Sequence, residues 1–255
     1  MSREFTADKL SVRIFDDVPA MAAAAAADGA TAIREAIAAR GVANVMLATG
    51  NSQLTFLSEL VTYTDLDWSR VTAFHMDEYV DLPATHSASF QRYMRERVAA
   101  SLPFQQFHYL TGDTTDAQGE AERYAHVLRA HPLDLCCCGI GENGHLAFND
   151  PPVADFDDPL DVKIVELALA SRRQQVAEGH FSTMADVPTH AITVTIPALL
   201  RARRVLAIVP EARKAIPVRD ALQGPVTTAC PASYLRLQPH AILYLDAESS
   251  SLLEA

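Results

Sequence analysis

The sequence is short of basic residues, which limits the partners that it can bind. Lysine and arginine together number 21 against 32 aspartates and glutamates, so the formal net charge is −11 over 255 residues. A chain this acidic is a poor binder of nucleic acid and of anionic membranes, because both attract positively charged surfaces. We therefore expect neither partner, and an anionic substrate would need a local cationic pocket.

Long apolar runs are also missing. No stretch reaches the roughly 18 apolar residues of a transmembrane helix, and the N-terminal segment lacks the apolar core of a signal peptide. The 4 cysteines, of which Cys136, Cys137 and Cys138 are adjacent, lack the spacing of a zinc site or a disulfide framework. We interpret them as buried residues in a reducing environment, and we expect a cytoplasmic protein.

The sequence does contain an alternation of apolar, β-prone runs with helical segments. The alanine-rich stretch from Val18 to Arg40 is typical of a helix, and "LDLCCCGI" (133–140) is typical of a central strand that is covered on both faces. "VKIVEL" and "HAITVTI" read as further strands. The alternation predicts an α/β, Rossmann-like three-layer fold with a mostly parallel central sheet and helices on both faces. No linker-like segment interrupts it, so we expect one domain over residues 1–255.

Ligands of such sheets bind at the carboxyl ends of the strands, so the loops that follow the strands are the candidate sites. The first is "LATGNSQL" (47–54), which leads from a strand into a helix. Hydroxyls and free backbone N–H groups at a helix start suit a phosphate. The alternative is that Asn51 or Ser52 only caps the helix.

The second loop is "AFHMDEYVDLP" (73–83), where Asp77 and Glu78 directly follow a strand beside apolar side chains. Such carboxylates are candidates for a raised pKa and for base catalysis. Two alternatives remain open here: a helix cap or surface turn, and a metal site built from His75, Asp77 and His86.

The third loop, "CCCGIGENGHLAFNDPP" (136–152), combines several glycines with one histidine. Gly139 and Gly141 let the chain turn sharply off the strand, and Asn143 and Gly144 suit positive φ angles. His145 could shuttle a proton, with Asp150 near enough to orient its ring. The alternatives are a structural histidine and a dinucleotide-binding loop; the mid-chain position and "NDPP" disfavour the latter.

"MDEYV" and "GIGENGHLAFN" together resemble the glucosamine-6-phosphate deaminase/isomerase family, and the similarity continues through "VPTHAITVTIPALL" to "HAILYLD". The resemblance implies an enzyme of amino-sugar metabolism and N-acetylglucosamine catabolism. Such an enzyme opens the sugar ring, isomerises the 2-amino aldose to a ketose and releases ammonia, without a cofactor or metal. It also implies that Asp77 is the base between C2 and C1 and that His145 opens the ring. Asn143 and Asp150 would hold this histidine.

The same resemblance implies a phosphate site that is built from the first loop and from two further segments of the chain. Lys214 in "EARKA" matches the family's phosphate lysine, and His180 takes the place of its phosphate arginine. The implied substrate-binding set is Thr49, Gly50, Asn51, Ser52, Gly144, His180 and Lys214. The partner is then a small sugar phosphate. Family members occur as monomers and as larger assemblies, which leaves a homo-oligomer open.

The chain departs from the family at several positions. Asn143 stands where an acid is frequent, and Asp150 replaces a glutamate. A histidine at 180 binds phosphate only when it is protonated, unlike an arginine, although Arg172 or Arg173 could compensate. The chain could thus act on a different amino-sugar phosphate. Asp161 stands where the family's allosteric site has an arginine, which argues against activation of that kind.

Two other functions compete with deamination. A 6-phosphogluconolactonase has the same fold, but its histidine motif continues differently from "HLAFN". A non-catalytic sugar-phosphate sensor would retain the pocket, although Asp77 and His145 are both present. Release of ammonia separates these alternatives from the deaminase.

Overall fold

The computed structural model describes residues 3–254, and eleven strands run through this part of the chain. They are β1 (Arg3–Ala7), β2 (Leu10–Ile14), β3 (Ala43–Leu47), β4 (Val71–His75), β5 (Asp77–Tyr79), β6 (Gln106–His108), β7 (Leu135–Cys138), β8 (Val162–Glu166), β9 (His190–Val194), β10 (Arg204–Val209) and β11 (Ala241–Leu245). Eight of them form one sheet in the order β1-β2-β11-β10-β7-β3-β4-β6. All its neighbours pair in parallel except β1 with β2, which form an antiparallel edge hairpin.

Seven α-helices connect these strands. They are α1 (Val18–Arg40), α2 (Leu54–Leu60), α3 (Phe90–Met94), α4 (Ala117–Ala130), α5 (Leu169–Ala177), α6 (Ile196–Leu200) and α7 (Ala215–Gln223). Short 3₁₀ turns, Asn51–Gln53 and Ala212–Lys214, precede α2 and α7. Every helix between residues 3 and 254 is too short or too polar to cross a bilayer.

Helix α1 has the bounds that its composition predicts, and local signals set both ends. The Asp17 side chain accepts a hydrogen bond from Ala20 N at 2.8 Å, and Gly41 closes the helix with a φ of 81°. Small side chains such as Ala22, Ala25 and Ala26 are completely buried, so the helix packs closely on the sheet. This helix, with α2, forms one of the outer layers.

The central strand β7 shows why the fold has three layers. Cys136 and Cys138 pack into the apolar cluster that contains α4, α6 and α7, whereas Cys137 packs into the cluster of α1 and α2. All three thiols are buried and free. The expected α/β fold with a mostly parallel sheet and helices on both faces is therefore confirmed.

Strands β8 and β9 lie outside the central sheet, whereas the sequence predicted a single sheet. They pair antiparallel with each other, and β9 pairs antiparallel with β5, so the three form a separate sheet in the order β5-β9-β8. Sequence pattern identifies a strand but not its partner, because a run such as "HAITVTI" is compatible with either sheet. The small sheet holds Asp77 opposite Thr193, and thereby positions the first candidate catalytic residue.

Candidate active site

A cleft opens where β3, β4 and β7 end, which is the position that an open α/β sheet favours for ligands. The predicted site residues that line it are Thr49, Gly50, Asn51, Ser52, Asp77, His145, His180 and Lys214. All three candidate loops therefore contribute to a single cleft. Asn143 and Asp150 contact His145 instead of lining the cleft, and Gly144 is also outside the lining.

Asp77 is a buried carboxyl group with an unusual lack of donors. It is 6% exposed, and its Oδ1 has no hydrogen-bond partner among residues 3–254. Burial, together with the neighbouring charge of Glu78, raises the pKa of Asp77 well above its ordinary value. A carboxyl group that is not held by donors and that faces a cleft can take up and release a proton, as a general base must.

Glu78 follows Asp77 directly but has a different environment. Its carboxylate accepts hydrogen bonds from Tyr79 N, Ser89 Oγ, Phe90 N and Gln91 N at 2.8–3.2 Å. These donors belong to the start of α3 and to β5, so Glu78 joins the two elements. Of the two acids in the second loop, Asp77 is thus the one that is free to react.

The two histidines of the metal-site alternative make other contacts. His75 Nδ1 lies 2.9 Å from the Asp77 carbonyl, and its Nε2 accepts from Leu110 N at 2.9 Å. Burial lowers the pKa of His75 to about 3, so the ring is neutral. His86 Nδ1 accepts from Ala88 N at 3.1 Å. The structure does not bring His75, Asp77 and His86 together as a ligand set, and the residues that it describes form no other such cluster.

His145 is held by a polar network on one side of its ring. Its Nδ1 lies 2.8 Å from Asn143 Oδ1 and 3.1 Å from Asp150 Oδ1. Asn143 Nδ2 also donates to Asp150 at 2.7 Å, so the amide links the two groups. Because Nδ1 has acceptors, it carries a proton, and Nε2 has no partner within the described chain. The ring can therefore exchange a proton with a ligand through Nε2.

Asp150 is buried like Asp77, yet it titrates in the opposite direction. Burial alone would raise the pKa of Asp150, but hydrogen bonds and the charge of His145 bring it down to about 2. One donor, Ser171 Oγ at 2.5 Å, was not predicted as a site residue. It comes from α5, and only the folded chain brings this helix to the loop. Its sequence neighbourhood, "LASRRQQ", gives no signal of such a role.

Two glycines of the third loop are required by close packing. A Cβ atom on Gly141 would lie 2.1 Å from His145 Cε1, so this position allows the histidine ring to lie against the backbone. Gly144 has a φ of 83°, and a Cβ there would lie 2.8 Å from Cys230 Sγ. The expected positive φ is present at Gly144 but not at Asn143; it recurs at Ala147, with 50°. Gly144 therefore shapes the turn, and its contact with the substrate stays a prediction.

The first loop lies at the other end of the cleft. Gly50 has a φ of 100°, and its carbonyl accepts from Tyr93 Oη at 3.2 Å. No side chain caps the turn that follows, so Asn51 and Ser52 are not occupied as helix caps. Gln53 was missed by the sequence reasoning: it is 1% exposed and donates to the Ile208 carbonyl at 3.0 Å, which ties the loop to β10.

Lys214 brings a cation to this end of the cleft. It is 3% exposed, and its Nζ makes no hydrogen bond or ion pair within the described residues. Burial, aided by the charge of Arg213, lowers the pKa of Lys214 below its ordinary value. His180 also lines the cleft, and its Nε2 lies 3.2 Å from Glu178 Oε2. Glu178, a second lining residue without a sequence signal, thus places a carboxylate beside these groups.

The arginines that could compensate for His180 lie elsewhere. Arg172 donates to the carbonyls of Met184 and Val187, and neither Arg172 nor Arg173 lines the cleft. Asp161, at the expected position of an allosteric arginine, is paired with the exposed side chains of Arg129 and Arg201.

Comparisons with known sequences show which proteins the chain resembles. A sequence model of the family described as glucosamine-6-phosphate isomerases/6-phosphogluconolactonase matches residues 16–243. The glucosamine-6-phosphate deaminases of Bacillus thuringiensis (strain Al Hakam) and Bacillus cereus (strain AH820) are each 37% identical over 220 residues, which are 86% of this chain and 82% of theirs.

Solved structures show the same similarity. A monomeric glucosamine-6-phosphate deaminase superposes with a TM-score of 0.87 at 26% identity, over 95% of this chain and 99% of that one. A 6-phosphogluconolactonase from Shewanella baltica superposes with a TM-score of 0.76 at 21% identity, over 95% and 99% of the two chains. The second likeness is one of fold alone.

Proposed function

The chain belongs to the glucosamine-6-phosphate isomerase/6-phosphogluconolactonase family, and on this premise we propose that it is an amino-sugar-phosphate deaminase. It would convert glucosamine 6-phosphate and water into fructose 6-phosphate and ammonia. The observation that carries the proposal is the pairing of two proton-transfer groups in one cleft. Asp77 presents a buried carboxyl group without donors, and His145 presents an unpartnered Nε2.

Ring opening is the first step that this pair supports. The C1 hydroxyl loses a proton, the ring oxygen gains one, and the C1–O5 bond breaks to give the open-chain aldehyde. His145 can carry this proton through Nε2, because Asn143 and Asp150 hold its Nδ1. Asp150 remains ionised, and its negative charge stabilises the imidazolium that forms.

Isomerisation is the second step. Asp77 removes the proton from C2, and the electron pair of this C–H bond forms the C1–C2 double bond. The π pair of the C1=O bond moves to O1, which takes up a proton from water, and the product is an enolamine. Returning the proton to C1 leaves an imine at C2, which water hydrolyses to the ketone and ammonia. Both positions are adjacent, so one carboxyl group can serve them. Burial supports this role because it raises the pKa of Asp77 and thus its basicity.

The phosphate would occupy the end of the cleft lined by Thr49, Gly50, Asn51, Ser52, Lys214 and His180. Loop hydroxyls and backbone amides can donate hydrogen bonds there, and Lys214 supplies a positive charge when it is protonated. A cytoplasmic location is part of the proposal and is supported by the free cysteines of the chain. Assembly into a homo-oligomer stays open, and size-exclusion chromatography with light scattering would measure it.

The test is ammonia release from glucosamine 6-phosphate, run beside hydrolysis of 6-phosphogluconolactone. We expect ammonia and fructose 6-phosphate in equal amounts and no lactone hydrolysis above background, since the curated relatives at 37% identity are deaminases. Lactone hydrolysis without ammonia would replace the proposal by the lactonase. Tight binding of the sugar phosphate without either product would replace it by a sensor.

A further inference from the structure

The phosphate end of the cleft has a carboxylate, Glu178, in its lining, and this charge repels an anion. Arg213 is the nearest further cation, but it is bound to Glu178, to Glu211 at 2.6 Å and to Glu142 at 3.7 Å. It does not line the cleft, whereas Glu178 does. Glu178 therefore lies in the lining with Lys214, whose pKa is lowered by burial, while Arg213 is held by three carboxylates. An incoming phosphate dianion needs an additional positive charge at this place.

Glu178 is fixed as an anion by its donors. Its Oε1 accepts from Gln174 Nε2 at 2.7 Å and from Arg213 Nη1, and its Oε2 lies 3.2 Å from His180 Nε2. Burial opposes ionisation, but these hydrogen bonds and the charge of Arg213 lower the pKa of Glu178 to about 2. A carboxylate only accepts hydrogen bonds, so the proton between the two residues belongs to His180 Nε2.

This hydrogen bond determines what the other ring nitrogen can do. His180 Nδ1 has no partner in the part of the chain that the structure describes. In the neutral ring, with its proton on Nε2, Nδ1 carries a lone pair and repels phosphate oxygens. In the imidazolium, Nδ1 carries a second proton and can donate to them. Glu178 is the charged group that contacts His180, and the groups that in turn interact with Glu178, Lys214 or Arg213 are Arg213, Lys214, Glu142, Glu211 and Tyr79.

We propose that Glu178 positions His180 as a proton-dependent phosphate ligand, so that the cleft holds a sugar phosphate tightly only while the ring is an imidazolium. This inference rests on the proposed function for the identity of the ligand. His180 is then a specificity residue and Glu178 a positioning residue. Affinity falls as pH rises, because the ligand is bound together with one proton.

Sulfate is the appropriate probe, because it stays a dianion where phosphate esters change charge. Its dissociation constant is measured by calorimetry from pH 5.5 to 8.5 at constant ionic strength, without any turnover. For the wild type we expect the constant to rise with pH, approaching about tenfold per pH unit on the alkaline side. We also expect proton uptake on binding, seen as a dependence of the heat on the buffer. A pH-independent constant, or no sulfate binding at pH 5.5, would overturn the proposal.

His180→Arg is the decisive variant, since an arginine stays charged throughout this range. It should bind sulfate equally well at pH 5.5 and 8.5, whereas His180→Gln should bind it weakly at both. The matched control is His126→Gln, which removes an exposed histidine outside the cleft and should keep the wild-type profile. If His180→Gln keeps the wild-type profile, another group carries the proton and the assignment is wrong.

Glu178→Gln tests the positioning role. We expect its sulfate affinity to lose the wild-type pH profile and to fall at neutral pH, while Glu178→Asp, which keeps the charge, restores part of it. If Glu178→Gln binds sulfate more tightly at every pH, the released Arg213 is the better ligand and the positioning role fails. In turnover, His180→Gln should raise KM for glucosamine 6-phosphate and leave kcat within about threefold. A wild type that binds sulfate as expected but releases no ammonia would refute the proposed function alone.

Discussion

The strand end that carries Asp77 and the loop that carries Asp150 bury their carboxyl groups to a similar extent, at 6% and 1% exposure. Their chemistry is nevertheless opposite. Asp77 Oδ1 has no donor within residues 3–254, and its pKa is raised. Asp150 accepts from Asn143, Ser171 and the Ala168 amide, and its pKa is about 2. Because these two carboxyl groups are buried to a similar extent, their different partners account for the opposite shifts: Asp77 can act as a base, and Asp150 stays a fixed charge.

Adjacent residues in β5 also differ in their donors, although burial raises the pKa of both. Glu78 accepts four hydrogen bonds and joins β5 to α3, whereas Asp77, next to it, points its carboxyl group at the cleft. Strand alternation explains this, because successive side chains lie on opposite faces. One acid stabilises the fold and the other is free for chemistry, and each substitution below tests one side of this difference.

Asp77→Asn should have the largest effect on activity. It removes the base but keeps the shape, so kcat for ammonia release should fall by about 10²- to 10⁴-fold with little change in KM. The substitution should leave the free energy of unfolding unchanged or raise it. Because the pKa of Asp77 is raised in the folded state, ionisation favours unfolding as pH rises above the ordinary aspartate value.

Thermal unfolding at pH 7 measures this second effect. The Asp77→Asn variant should unfold at the same temperature as the wild type or at a higher one. A variant that keeps full activity would show that another group removes the C2 proton, and one that is strongly destabilised would show that Asp77 has structural donors.

Asp150→Asn should have the next largest effect on activity and the opposite effect on stability. The amide removes the charge that supports an imidazolium at His145, so kcat should fall by about 10²-fold. Asp150 has a folded pKa of about 2, below its ordinary value. Its ionised form therefore stabilises the fold above the unfolded pKa, by about 2 kcal/mol, and this contribution disappears as pH falls from about 4 to 2.

Urea unfolding at pH 7 and at pH 2.5 measures the difference between the Asp150→Asn variant and the wild type. We expect the gap in unfolding free energy to narrow at the lower pH. Equal gaps at both values would mean that shape, and not charge, makes Asp150 important.

Glu78→Gln should mainly affect stability. The amide group replaces an oxygen that accepts two hydrogen bonds and brings a donor against donors, which should cost about 1–3 kcal/mol. We expect kcat to stay within about tenfold of the wild type, because Asp77 keeps its place in the strand. Unfolding curves and ammonia release are measured on the same preparation. A loss of activity as large as that of Asp77→Asn, with stability unchanged, would reverse the roles of the two acids.

Much of the fold was predictable because it depends on local signals. The bounds of α1 follow from composition and caps, and β7 follows from a run that is buried on both faces. The separate sheet of β5, β9 and β8 was not predictable, since strand pairing is decided by contacts between distant residues. The edge hairpin of β1 and β2 was missed for the same reason.

The candidate site likewise contains residues that the sequence predicts and residues that it does not. Asp77 and His145 lie in motifs with a local chemical meaning, and the structure brings both to the cleft. Ser171 and Gln53 act through partners that are 21 or more positions away, and Glu178 is held by the distant Arg213 as well as by near neighbours. Their own segments resemble ordinary polar helix or turn sequences. The roles of such side chains can be recognised only in the folded structure, which shows which donor is hydrogen-bonded to which acceptor.

Ser171→Ala should have the smallest effect and gives the finest test of the comparison between the two aspartates. It removes one donor from Asp150, at 2.5 Å, and leaves Asn143 and the Ala168 amide in place. With fewer donors the pKa of Asp150 should rise part of the way towards its ordinary value, while the carboxylate stays ionised at pH 7. We therefore expect kcat to fall by less than about tenfold at pH 7, with a larger loss at about pH 4 to 5. If the loss has the same size at every pH, Ser171 contributes only packing, and the number of donors does not set the charge of Asp150.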